Sequence, residues 1–339
     1  MMDFRNPNKI GSRAGRRSGF FAAMAFSLLV SVACAEETDG LFVAVGYGGR
    51  RISSRDGAIW DNDQRWSDVV ADDDNVLFNI AYGLGRFIAV GGGAKIGHIV
   101  TTRDGKEWTE LPQVKGRVAT IVFANSGHAG AARFIAGHDS ELLWSSDGEH
   151  FQQGQKLDFK GSVHARKSAC GDTEAGYMTV IIGDVDLWSE KRRVSWRAAT
   201  ADGETWVSQT LETLEVRGIA YGAGHFVVVG PKGLIEQSHD GQNWMRCEIG
   251  TDGDFQSVIW SGSTFIAKGR ETWTSPDGLA WTKEEKTLPC EPVFGREGLS
   301  GIGVSWGGNL FFSPDLRVWK KAAIPAGPSL NAAVWGPLR

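Results

Sequence analysis

Side chains able to carry chemistry are spread thinly along this chain. Asp184, Asp186 and Glu271 are carboxylates from which an acid–base pair for glycoside cleavage could be drawn, a reaction that needs two carboxyl groups about 5–10 Å apart. His138 or His164 could serve a lyase as the group that takes a proton. Arg117, Arg166 and Arg217, with Gln256 and Asn331, offer donors suited to an anionic or sugar ligand, and Arg270 falls in a further loop. Trp188, in a charged insertion, is an indole suited to stacking on a sugar ring; the plainer alternative is that it caps its sheet. Other chemistries lack their residues. There is no Gly-x-Ser-x-Gly elbow and no His/Cys cluster at metal-ligand spacing. Gly91-Gly92-Gly93 is followed by no helical pattern, so it is a turn rather than a phosphate loop. No metal and no cofactor are expected, and no residue is assigned a catalytic role.

What positions these groups is a motif written seven times. Ser238-His239-Asp240-Gly241-Gln242-Asn243-Trp244 is its fullest copy: a hydroxyl, an Asp-Gly turn and a large aromatic. Asp-Gly between strand-like runs marks a hairpin, because Gly accepts positive φ and Asp bonds its own backbone. The aspartates of the seven boxes are Asp56, Asp104, Asp147, Asp202, Asp240, Asp277 and Asp315. The steps between them are 48, 43, 55, 38, 37 and 38 residues. A period near forty, built from strands and turns, means a propeller or another closed array.

Each repeat reads as four short strands. In the fifth, Val216–Gly222 is a strand, His225–Gly230 an apolar and therefore buried second, Leu234–Ser238 a third, and the box leads to a fourth around Trp244. The fourth repeat is stretched, with Tyr177–Gly183 as second strand and a charged insertion at Ser189–Arg193. The first repeat lacks its first strand and begins with Leu41–Gly46. A first-strand match, Leu330–Gly336, follows the last box instead. The expected fold is therefore all-β: a seven-bladed propeller of four-stranded antiparallel blades over 36–339, closed by the C-terminal strand pairing into blade one.

The repeated Ser/Thr-x-Asp-Gly-x-x-Trp resembles the Asp-box, or BNR-type, repeat of sialidase-like propellers, over nearly the whole of 36–339. The resemblance implies that the box lies on the hairpin between third and fourth strands, away from the usual active site. It implies that Ser/Thr and Asp lock the turn and that the aromatic packs between blades. The boxes here are one residue shorter than the commonest form, and no Arg-Ile-Pro motif is present. Sialidase chemistry wants three arginines around a carboxylate, a tyrosine nucleophile and an acid. Of the four tyrosines, Tyr82 and Tyr221 occupy equivalent repeat positions, which reads as packing.

On such a ring, ligands meet the loops at the channel mouth. Aligning first strands on Ile80 and Ile219 puts Arg166, Arg217, Gln256 and Asn331 at one shared position, with Arg117 nearby. They form either a polar binding ring or the lining of a water-filled channel. His138-Asp139, His164, Asp184, Asp186, Arg270 and Glu271 are expected in mouth loops. The box aspartates need no calcium to hold their turns. Asp72-Asp73-Asp74 lacks calcium-loop spacing and reads as a solvated acidic loop.

Residues 1–35 read as a secretory signal peptide. Arg5, Lys9, Arg13, Arg16 and Arg17 form a basic start, Phe20–Ala33 an apolar run too short to span a membrane comfortably, and Ala33-Cys34-Ala35 a small-residue cleavage point before Glu36. Ser31-Val32-Ala33-Cys34 is similar to a bacterial lipobox, which makes Cys34 a lipidation candidate. The expected location is periplasmic, outer-membrane-anchored or extracellular. Beyond residue 35 the balance is 31 basic against 39 acidic side chains, a net −8 with no basic stripe, so nucleic acid is not an expected partner. Cys247 and Cys290 either face each other as a disulfide or stay buried thiols, with Cys170 left over. The function expected is that of an exported, monomeric, non-catalytic scaffold that binds a protein partner or glycan through its mouth loops. The alternative is an extracellular carbohydrate-active enzyme, either a sialidase-like glycoside hydrolase or a polysaccharide lyase.

Overall fold

The computed structural model describes residues 40–339 apart from 70–71, 126–131, 139–140, 175, 213, 296–299, 306 and 339. Residues 1–35, expected to be a signal peptide and including Cys34, lie outside the described residues, as do Glu36, Asp139 and Trp306. Those described form seven antiparallel blades of four strands in a ring. Blade 2 carries one added short strand, Val114–Lys115, beside its third, Ile96–Thr102. Blade 5 shows the plan: Gly218–Gly222 innermost, then His225–Val229, Ile235–Ser238 and Met245–Arg246 outermost. Its second strand is buried at every position, as its unbroken apolar run requires.

The core lies between blades, because each sheet buries both faces against its neighbours. Ala81, Ile88 and Val90 of blade 2 pack in one cluster with Ile121, Phe134 and Ala136 of blade 3. Near the channel, an aromatic from one inner strand seats on a residue that lacks a side chain in the preceding blade. A Cβ at Gly336 would come 2.2 Å from the Tyr82 ring, and one at Gly171 would come 2.0 Å from the ring of Tyr221. Tyr82 and Tyr221 also donate their hydroxyls to the carbonyls of Pro337 and Asp172, so both are packing residues.

The ring closes as its two ends predict. Leu330–Pro337 is the innermost strand of blade 1 and pairs antiparallel with Gly40–Gly46, setting Phe42 opposite Trp335 and Val43 opposite Val334. Arg50 secures the approach to that strand. Only 1% exposed, it donates to the carbonyls of Pro328 at 2.8 Å and Pro325 at 2.6 Å while Asp63 balances its charge at 2.9 Å.

Every box is the hairpin between third and fourth strands. In blade 5 the Ser238 hydroxyl donates to Asp240 Oδ1 at 3.0 Å, and the same oxygen accepts the backbone N–H groups of Gln242 and Asn243 at 2.8 and 2.7 Å. The Trp244 indole N–H donates to the Gly241 carbonyl at 3.2 Å. Gly241 has φ +72°, and a Cβ there would also strike Val180 of blade 4 at 2.7 Å, so the site excludes other residues twice. Box 7 departs. Leu316 holds the glycine position at φ +59°, and the buried Trp319 indole N–H has no hydrogen-bond partner among the described residues.

The cysteines settle one open alternative. Cys170, Cys247 and Cys290 are free thiols, so Cys247 and Cys290 form no disulfide. Cys247 packs in the core between blades 5 and 6, its Sγ 3.5 Å from the Gly278 carbonyl, while Cys290 lies against Gly303 of blade 7. Burial pushes the Cys290 thiol up to about 12, which suits an inert core group.

Candidate functional site

The antiparallel order puts the starts of the inner strands on the face opposite the boxes. Blade 4 stands out there. Its first three strands run Ser162–Thr173, Gly176–Leu187 and Arg192–Thr200, longer than those of the other blades. Asp184, Asp186, His164 and Arg166 were expected in loops or at their edges but stand within these strands. The extended hairpin ends at Trp188, which is 70% exposed, its indole N–H donating to the Ser162 hydroxyl at 3.1 Å.

At the foot of this hairpin two cavities adjoin, sharing Arg166, Arg193 and Arg217 as a common wall. The smaller, about 350 Å³, is lined by Arg117, Arg166, Lys167, Arg193 and Arg217 with His164, and no carboxylate among the described residues lines it. The larger, about 1050 Å³, runs between blades 4 and 5 over an apolar floor of Val194, Leu211, Val216 and Leu234, and Asp184 and Gln256 are in its wall. The basic mouth is thus a local exception on an acidic chain.

Ion pairs hold most of this charge in place. Arg166 Nε meets Asp184 at 2.7 Å, and the other oxygen of Asp184 accepts from the Ser195 hydroxyl at 3.1 Å. Arg193 and His164 share Asp186, at 2.6 and 3.1 Å. Arg217 holds Glu215 at 2.7 Å. Lys167 of blade 4 faces Glu291 of blade 7 at 3.6 Å; the two blades are not neighbours, so the pair spans the channel. Beneath the larger cleft, Arg197 and Glu236 form a buried pair at 2.9 Å, with the Trp244 ring 4.6 Å from the guanidinium carbon.

Of the residues expected to bind a ligand, the structure brings together Arg117, Arg166, Asp184, Arg217 and Gln256 along the two adjoining cavities. Three others stand elsewhere. Asn331 donates to the Leu77 carbonyl at 3.0 Å, tying the closing strand to blade 2. His138 ends the second strand of blade 3, buried, its Nε2 2.5 Å from the Lys115 carbonyl. Arg270 is exposed and lines neither cavity. Lys167, Arg193 and Phe78 line the mouth without having been singled out in the sequence.

Two of the three candidate carboxylates are set against the general-acid role in glycoside cleavage. A general acid needs a raised pKa. The hydrogen bond from Arg193 holds Asp186 below its ordinary value, and that from Lys283 does the same for Glu271. Asp72 likewise spends its oxygens within its own loop, accepting from the backbone N–H groups of Asp74 and Asn75 and from the Asn75 amide.

No family model matches the chain, and no curated protein matches it. Among solved structures, the fold is similar to BBS1N in complex with ARL6DN, at 10% identity and a TM-score of 0.56, covering 81% of this chain and 87% of that one. It is similar to YCF48 bound to D1 peptide, at 16% identity and a TM-score of 0.50, covering 76% and 86%. YCF48 from Cyanidioschyzon merolae aligns at 12% identity and a TM-score of 0.48, covering 80% and 87%. At these identities the likeness is one of fold: the chain is a seven-bladed β-propeller.

Proposed function

We propose that this protein is an exported propeller scaffold that binds a protein partner through the basic mouth and the blade 4 hairpin. The observation that carries the reading is the contrast at the mouth: a cavity walled by four arginines and a lysine, with no lining carboxylate among the described residues, on a chain of net charge −4. Beside it stands Trp188, a large aromatic held by one hydrogen bond with most of its surface in solvent. Arginine and tryptophan are the side chains that most often dominate binding energy at protein interfaces. Two of the solved neighbours described above are complexes, BBS1N with ARL6DN and YCF48 with D1 peptide, which favours a protein over a glycan. Export rests on the basic and apolar segment at 1–35, with cleavage before Glu36 or lipidation at Cys34. The kinship with sialidase-like Asp-box propellers rests on box sequence and on the hairpin that carries it. It brings no chemistry with it, because a fold hosts many functions.

The test is photocrosslinking in the native host. A crosslinking residue is placed at Trp188 or Arg193 on the mouth and, separately, at Gln242 on a box. Protein adducts are expected from the mouth positions and not from the box. Adducts from Gln242 alone, or none from any position, would refute the reading.

A further inference from the structure

The cations of the mouth are not equivalent. Arg166, Lys167, Arg193 and Arg217 each arrive with a carboxylate of the protein's own: Asp184, Glu291, Asp186 and Glu215. Arg117 has none. It stands just before the inner strand Val118–Ala124 of blade 3. Its guanidinium lies over the Phe78 ring, 5.1 Å from the centroid, and its buried Nε makes no hydrogen bond among the described residues. Among the described residues, five cations against four acids leave one positive charge over, and it sits on a guanidinium braced by an aromatic face.

That count decides what class of ligand fits. A polyanion would meet the other four cations with a carboxylate already within 2.6–3.6 Å of each, so their charge is largely balanced before it arrives. A single carboxylate needs Arg117 alone, and a planar guanidinium matches a carboxylate's two oxygens. We infer that Arg117 is the anchor of the mouth and takes one carboxylate from a partner segment that is otherwise near neutral. This deepens the proposed function and rests on its premise that a protein segment enters the mouth. The carboxylate is either an aspartate or glutamate side chain or a free chain terminus.

The experiment uses the full chain and immobilised decapeptide libraries randomised over neutral residues. One library carries a single internal glutamate and an amidated end. A second carries only a free C-terminal carboxylate, a third six glutamates, a fourth one phosphoserine, and a fifth no charge. One of the first two is expected to be retained best, and which one it is identifies the source. Arg117→Gln should lower that affinity at least tenfold with an unchanged melting temperature. Arg117→Lys keeps the charge without the planar fork and should lose several-fold; it decides the matter should the glutamine variant fold poorly. Best retention of the hexaglutamate, phosphoserine or uncharged set would overturn the inference. Binding that survives at Arg117→Gln but falls at Trp188→Ala would overturn the anchor and leave the mouth reading standing. Binding that survives both changes, or no retention at all, would sink the two together.

Discussion

The two faces of the ring are built on opposite terms. On the box face, seven copies of one hairpin repeat one set of bonds, from Ser54–Asp56 to Ser313–Asp315 at 3.0–3.1 Å. On the mouth face the blades differ: blade 4 adds length, blade 3 an arginine with no carboxylate partner among the described residues, and blade 7 an acid that reaches across the channel. Repetition is what stability needs, since every hairpin meets the same constraint. Recognition needs differences, and these appear where the repeat breaks.

The largest effect expected tests the joint between the ring's ends. Deleting 329–339 removes the eight-residue strand Leu330–Pro337 and exposes the edge of Gly40–Gly46. Lost pairing and apolar burial together should cost about 5 kcal/mol or more. Denaturant melting checks it; a truncation as stable as the full chain would mean the ring holds without closure. Next comes a residue under the mouth that is structural. Glu236→Ala leaves Arg197 charged, buried and unpaired, at a cost of about 3–5 kcal/mol. A near-neutral result would show that the floor of the mouth is as adaptable as its rim.

The box itself should cost less. Asp240→Ala loses a side-chain acceptor serving two backbone N–H groups, about 1–2 kcal/mol, and Asp104→Ala and Asp277→Ala should match it. Peptide binding at the mouth should be unchanged in all three; stable variants that lose binding would reverse the roles of the faces. Acid gives a second readout. Partial burial pushes Asp240 up, but the Asn243 backbone and side-chain donors, the Gln242 N–H and the Ser238 hydroxyl outweigh it and bring the carboxyl to about 2. A carboxyl lowered on folding contributes stability that is full above its unfolded value, about 3.9, and is lost as pH falls through its folded one. Wild-type stability should therefore decline between about pH 4 and 2, and Asp240→Ala should decline less.

The smallest effect concerns the one aberrant box. Leu316 keeps a left-handed backbone that costs a non-glycine residue about 1–2 kcal/mol. Leu316→Gly relieves it but adds freedom to the unfolded chain, so the net gain should be at most about 1 kcal/mol. A loss would show that Leu316 packing against Gly301 outweighs the backbone.

Legibility in the sequence follows the same division. The boxes and the closing strand could be read because each position is stated repeatedly, and Asn331–Gly336 completes a pattern visible elsewhere. The mouth could be read only in part. Arg166, Arg217 and Gln256 share a register position and do line the cavities, but Asn331 at that same position turns to a backbone carbonyl of blade 2. Asp184 and Asp186 looked like loop residues because they are charged. The alternation Asp184-Val185-Asp186-Leu187 was the strand signal, with Val185 buried and the acids turned toward Arg166 and Arg193. The pairing of Lys167 with Glu291 joins inner strands of two blades that do not touch, and no local pattern carries it.

The closing strand also sets a clock. Blade 1 receives its second, third and fourth strands from the start of the ring and its first from residues 330–337, so its sheet stays incomplete until the other six blades have been made. Blades 2 to 7 draw all their strands from consecutive sequence and can assemble in order. Completion thus waits on the contact with the longest sequence separation in the molecule, the kind that slows folding most. Until then Gly40–Gly46 is an open, apolar edge. Whatever shields that edge from other chains during synthesis determines how much of the protein ever becomes a ring.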